Sequence, residues 1–189
     1  MPKPTPHSKS YRKRVALIST GGTIEKTYDE MEGVLRNEVS NLDVMLAGLE
    51  LEGVVLTRVP LMNKDSLEME PEDHALIAQT AGVMAEQHDG VVIVHGTDRL
   101  AVTGETLVGT LGTPRVPIVL TGAMRPYQLR NTDAVQNLTE ALLAVQLAEP
   151  GVYVAMHGRL LRFPGVVKDR ARGTFARAEE LEERGGAAK

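Results

Sequence analysis

Val91-Val92-Ile93-Val94 is a run of four β-branched residues, and it constrains the fold more than any other stretch of the chain. It lacks the alternation of a half-buried strand, so it reads as a strand covered on both faces. Shorter apolar runs recur at Val15-Ala16-Leu17-Ile18, Val54-Val55-Leu56 (ending near Pro60), Val116-Pro117-Ile118-Val119-Leu120 and Gly151-Val152-Tyr153-Val154-Ala155-Met156. Helical patterns fill the gaps. Asn41 or Asp43 is placed to cap a short helix through Leu49. Pro71-Glu72-Asp73 opens a longer one, with Leu76, Ile77, Val83 and Met84 as its expected apolar face. A helix through Glu105, Leu107, Val108 and Leu111 ends before Gly112. Another, capped among Asn131, Thr132 and Asp133, presents Val135, Leu138, Leu142 and Val145. His157-Gly158-Arg159 reads as a hairpin turn.

Strand–helix alternation at this spacing predicts an α/β fold: a Rossmann-like three-layer domain with a mainly parallel sheet and right-handed crossovers. The 189 residues suit one domain, expected over 14–184. A basic, Pro-containing tail (1–13) should precede it, solvated and without regular structure, and a frayed end (185–189) should follow. With Cys 0 there is no disulfide framework or thiolate nucleophile. No apolar run approaches the ~18–20 residues needed to span a membrane. Five cations and no acid occupy residues 1–14; without them the net charge of -4 becomes about -9. A body that acidic, with six aromatics in all, is a poor binder of nucleic acid.

In open α/β sheets ligands bind beyond the carboxyl ends of the strands. The residues there are Thr20-Gly21-Gly22-Thr23, Asn63-Lys64-Asp65-Ser66, His95-Gly96-Thr97-Asp98, Thr121-Gly122-Ala123-Met124-Arg125 and Lys168-Asp169-Arg170. Hydroxyls, glycines, carboxylates and a lysine on one rim suit a small polar ligand. Thr23, after two glycines, is either a nucleophile or a β-branched residue leaving a turn. Asp98 either anchors a ligand ammonium or caps a helix. Lys168 is a candidate proton acceptor or a surface lysine, and Ser66 a carboxylate contact or a turn hydroxyl. Tyr28, in the glycine-rich, charged segment 20–37, which is long for a loop, is either a lid contact or a surface tyrosine. Neither His95 nor His157 has a second ligand at metal spacing, so structural roles are expected for both. No dinucleotide fingerprint or phosphate loop occurs.

Ser19-Thr20-Gly21-Gly22-Thr23-Ile24 followed by His95-Gly96-Thr97-Asp98 resembles the two signature motifs of the bacterial-type L-asparaginase/glutaminase family. Asp65-Ser66-Leu67-Glu68-Met69 is similar to its substrate-carboxylate loop. Thr121-Gly122-Ala123-Met124-Arg125-Pro126, with Asp133 and Asn137-Leu138, is similar to its third segment, and Val166-Val167-Lys168 to its catalytic-lysine segment. The resemblance runs from about Val15 to Phe175. It implies an amidohydrolase that converts L-asparagine to L-aspartate and ammonia through an acyl-enzyme, without metal or cofactor. Carried over, Thr23 is the nucleophile, Thr97, Lys168 and Asp98 the second catalytic set, and Tyr28 the lid tyrosine. Gly22, Ser66, Leu67, Gly96, Thr97, Asp98 and Ala123 bind substrate, with Ser66 on the α-carboxylate and Asp98 on the α-ammonium. Backbone amides near Thr97 and Ala123 are candidates for the oxyanion site.

The sequence departs from the family twice. The family chain continues into a second domain that lends an acid to a neighbouring protomer, so a short-chain single-domain form, or a trimmed chain, is expected. Leu67 stands where the family often has Gln or Ser, which removes one polar substrate contact, and Glu25 and Glu68 are nearby acids placed to compensate. The expectation is a cytoplasmic homo-oligomer, dimer or tetramer, that acts on L-asparagine and binds neither nucleic acid nor membrane. A non-catalytic asparagine or aspartate sensor, and an amidase subunit feeding ammonia to a partner transferase, are the alternatives.

Overall fold

Burial on both sides of its central strands dictates the architecture. A computed structural model describes residues 12–29, 34–36 and 41–187, with side chains for 12–26 and 41–184. In chain order the elements are β1 (Lys13–Gly21), β2 (Thr27–Asp29), β3 (Val34–Arg36), α1 (Leu42–Ala47), β4 (Val54–Lys64), a 3-10 turn (Ser66–Glu68), α2 (Pro71–Gln87), β5 (Gly90–Val94), α3 (Leu100–Leu111), β6 (Pro117–Thr121), α4 (Ala134–Leu147), β7 (Gly151–Met156), β8 (Arg159–Arg162), β9 (Val166–Asp169), β10 (Thr174–Arg177) and α5 (Ala178–Ala187). Six strands form one sheet in the order β4-β1-β5-β6-β7-β8. The first five are parallel and β8 pairs antiparallel with β7. β9 and β10 pair with each other, as do β2 and β3.

Alternate residues of the parallel strands supply two cores. Ala16, Ile18, Val91, Ile93, Ile118 and Leu120 pack with α2 and α3 on one face. Val15, Leu17, Val92, Val94 and Val119 pack with α1 and α4 on the other. The three-layer α/β expectation therefore holds. β5 is buried along its whole length, as the unbroken Val-Val-Ile-Val run requires.

Three expectations are corrected. The core face of α2 is His74, Ile77, Ala78, Ala81 and Ala85, whereas Leu76 and Val83 are 44% and 49% exposed. Small side chains let this helix lie close to α3 and the sheet, so size outranks hydrophobicity there. β4 does not end near Pro60 but runs through it to Lys64. It is an edge strand with β1 as its partner in the sheet, so a residue without an N–H is tolerated. At the termini, β1 begins at Lys13, inside the expected tail, and α5 continues through Gly185 and Gly186 to Ala187. The remainder of the tail, residues 1–11, lies outside the described residues. Among the described residues, no helix is long and apolar enough to cross a membrane.

Candidate active site

The chain leaves β1 to form β4 on one side, then returns to form β5 on the other, so the strand order reverses between β1 and β5. This topological switch point opens a crevice at the carboxyl ends of the two strands. Ser19 pairs with Val94, so the segments after them, Thr20–Thr23 and His95–Asp98, leave side by side. The neighbouring pairs Gly21–Lys64 and Val94–Thr121 bring Asp65-Ser66 and Gly122-Ala123 to the flanks.

Two glycines permit the contact between these loops. Gly22 has φ +86°, and a Cβ there would fall 2.4 Å from the Cα of Gly96 and 2.5 Å from its N. A Cβ on Gly96 would fall 2.6 Å from Ser66 Oγ. Both approaches require the absence of a side chain, and they bring Thr23, Thr97 and Ser66 into one neighbourhood. Thr23 is half-buried in a turn closed by Glu25 N donating to Gly22 O at 3.0 Å and Lys26 N to Thr23 O at 3.3 Å. The buried Glu25 carboxylate accepts from Gly21 N at 2.9 Å. It thus holds this turn rather than standing as a free acid, while Glu68 is exposed.

Lys168, on β9, reaches back across the sequence. Its Nζ donates to Thr97 Oγ1 at 2.9 Å and to Asp98 Oδ1 at 2.9 Å. Arg170 Nη1 lies 3.4 Å from the same carboxylate oxygen. The threonine, lysine and aspartate grouped from sequence are therefore in hydrogen-bonded contact. Ser66 is buried, but Leu67 beside it is 58% exposed. Ala123 is buried, and the next two amides, Met124 N and Arg125 N, are bound by Asp133 at 3.0 and 2.9 Å. Tyr28 belongs to β2, and its side chain lies outside the described residues.

Sequence reasoning missed the ion pair between Lys26 and Asp65. Lys26 Nζ donates to Asp65 Oδ2 at 2.6 Å, tying the base of segment 20–37 to the Ser66 turn. That bond, opposed by partial burial, holds the Asp65 carboxyl below the usual range. The partners are 39 residues apart, and no local pattern announces them.

Behind Thr97 lies a directed hydrogen-bond chain. Burial pushes the His95 imidazole down to about 4, against a smaller upward pull from the Gly96 carbonyl, so the ring is neutral at pH 7. Nδ1–H then donates to Gly96 O at 2.7 Å, and Nε2 accepts from Thr103 Oγ1 at 2.7 Å. Thr103 Oγ1 in turn accepts from His74 Nδ1 at 2.7 Å. A histidine whose folded pKa is depressed costs stability once it must charge. Its contribution is complete above the ordinary value near 6.5 and is lost progressively as the pH falls towards 4. Across that window wild type should lose up to about 3 kcal/mol more than His95→Gln, which cannot titrate. Urea midpoints at pH 7 and pH 4.5 check this; equal losses in both proteins would contradict the assignment.

Among the described residues no group of three or more His, Asp or Glu is placed to hold a metal ion. The family model for the asparaginase N-terminal domain matches residues 14–179. An L-asparaginase of Thermococcus kodakarensis is 35% identical over 165 residues, covering 86% of this chain and 50% of that relative. A solved structure of the thermostable L-asparaginase from that organism superposes with a TM-score of 0.79 at 34% identity, over 87% of this chain and 51% of that one. The structure of a probable cytoplasmic L-asparaginase from Campylobacter jejuni gives 0.73 at 30% identity, over 88% and 52%. A subunit of the glutamyl-tRNA(Gln) amidotransferase of Methanobrevibacter smithii is 35% identical over 151 residues, 79% of this chain and 34% of the relative. The chain thus spans about half the length of the asparaginases it matches. By sequence, by fold and by the motifs at its switch point, the chain belongs to the asparaginase family and carries that family's N-terminal domain.

Proposed function

We propose that the unit of residues 14–184 hydrolyses the side-chain amide of L-asparagine to L-aspartate and ammonia through an ester on Thr23. The observation that carries this reading is Lys168 Nζ, 2.9 Å from both Thr97 Oγ1 and Asp98 Oδ1, on the same rim as Thr23. An amide is a poor electrophile, so hydrolysis needs an activated hydroxyl and a path for its proton. Thr23 Oγ1 attacks the carbonyl carbon, and its proton passes through Thr97 and Lys168 to the departing nitrogen. The C–N bond breaks, ammonia leaves and an aspartyl ester remains. Water then cleaves the ester and restores the Thr23 hydroxyl.

Ser66 holds the substrate carboxylate, and Asp98, beside Lys168, the substrate ammonium. Backbone amides of Gly96–Thr97 and of Ala123 face the developing oxyanion, Gly22 clears room for the backbone, and Leu67 borders the site without adding a polar contact. Tyr28 orients Thr23 for attack. The protein works in the cytoplasm as a homo-oligomer; its likeness to the probable cytoplasmic L-asparaginase of Campylobacter supports the compartment.

Ammonia release from asparagine by the purified chain tests the reaction. In Ser66→Ala, KM should rise about tenfold or more with little change in kcat, because a ground-state anchor is removed. An unchanged KM would remove Ser66 from the carboxylate role. The likeness to an amidotransferase subunit supports a second reading, in which ammonia is delivered to a partner enzyme. Release of free ammonia by the chain alone discriminates against it; turnover only with an added transferase complex favours it.

A further inference from the structure

We infer that His157 is a positioning residue for the Gly122–Arg125 segment, acting through Asp133 and Asn137, a role that rests on the amide hydrolysis proposed above. Asp133, at the start of α4, is buried and gathers four donors. Met124 N, Asn137 Nδ2 and His157 Nε2 reach its Oδ2 at 3.0, 2.9 and 2.7 Å, and Arg125 N reaches Oδ1 at 2.9 Å. Asn137 Nδ2 also donates to Gly122 O at 2.9 Å. Residues on both sides of Ala123 are therefore pinned while Ala123 itself carries no part of the clamp.

His157 enters the clamp twice. Its ring holds Asp133, and its backbone N donates to Asn137 Oδ1 at 3.1 Å. On the other side of the ring, Nδ1 lies 3.1 Å from Thr174 Oγ1, within hydrogen-bond distance. Thr174 lies on β10, where its neighbour Phe175 pairs with Lys168. One imidazole thus joins the segment after β6 to the hairpin that carries Lys168. The turn that presents it holds His157 at φ +54°, a left-handed conformation that a β-hairpin fills more readily with Gly or Asn. Burial pushes the Asp133 carboxyl up, but the bonds from Met124 N, His157 and Arg125 N outweigh it and keep the group below its ordinary range. The carboxylate form that the clamp needs is therefore the one present at neutral pH.

A donor aimed at the developing oxyanion acts on the transition state, whereas Ser66 and Asp98 anchor the ground state. His157→Gly removes the ring and suits the φ of the turn, so the backbone keeps its path. The expected result is a fall in kcat for asparagine of about tenfold or more with KM within about threefold. Faster hydrogen exchange at Met124 N and Arg125 N should accompany it while the melting temperature changes little. His157→Gln, which keeps a side-chain donor, should recover part of kcat. Unchanged kcat and unchanged exchange in His157→Gly would overturn the inference, as would a loss of kcat that only follows global unfolding. Should wild type release no ammonia, the proposed reaction fails by itself. Exchange at Met124 and Arg125 then decides the clamp, faster exchange supporting it and unchanged exchange overturning it.

Discussion

Thr23→Ala should lower ammonia release from asparagine by on the order of 10⁶-fold, the scale seen when a covalent nucleophile is deleted. The fold should survive. The turn around Thr23 is closed by main-chain bonds, and Gly21 N is held by Glu25, so no strut depends on the Thr23 hydroxyl. Wild type and variant should therefore melt together while one of them is inert. Acid quenching during turnover, followed by peptide mapping, should find an aspartyl ester on Thr23. An ester on Thr97 instead would exchange the roles of the two threonines, and full turnover by Thr23→Ala would remove it as the nucleophile.

Lys168→Met keeps an unbranched side chain, one atom shorter, and removes the amine and its donors. Proton transfer by a positioned group contributes roughly 10²–10⁴-fold, and a loss of about 10³-fold in kcat is expected. The structural consequence should be small. Asp98 keeps Arg170 at 3.4 Å and is 29% exposed at its side chain, so its carboxylate is not left buried without a partner. Stability should change by no more than about 1 kcal/mol. Steady-state kinetics with a melting curve on the same sample separates the two effects. A variant that loses turnover only in proportion to unfolded protein would make Lys168 a structural strut.

The sheet was legible because its strands are covered on both faces, and such strands announce themselves as unbroken apolar runs. β5 and the helix caps around Pro71 and Gly112 follow directly. The face of α2 was not legible, since ranking residues by hydrophobicity puts Leu76 and Val83 inward. Packing instead selects Ala78, Ala81 and Ala85 for their small size. At the site, the strand-end rule located the rim, and the family motifs grouped Thr97, Asp98 and Lys168 as the structure does. What escaped was the support behind that rim. Lys26 meets Asp65 across 39 residues and His157 meets Asp133 across 24. Neither pair shares a helix or a strand, so no period in the sequence records it.

Pro60, a residue that an edge strand can tolerate, also bears on how this protein avoids edge-to-edge aggregation. A sheet edge is a row of free amides and carbonyls that another chain can extend into an aggregate. In β4 that row is interrupted by a residue with no amide hydrogen. At the opposite edge, β8 is four residues long and has an arginine at each end. Both margins of a sheet whose centre is almost wholly apolar are therefore poor templates for open-ended strand addition.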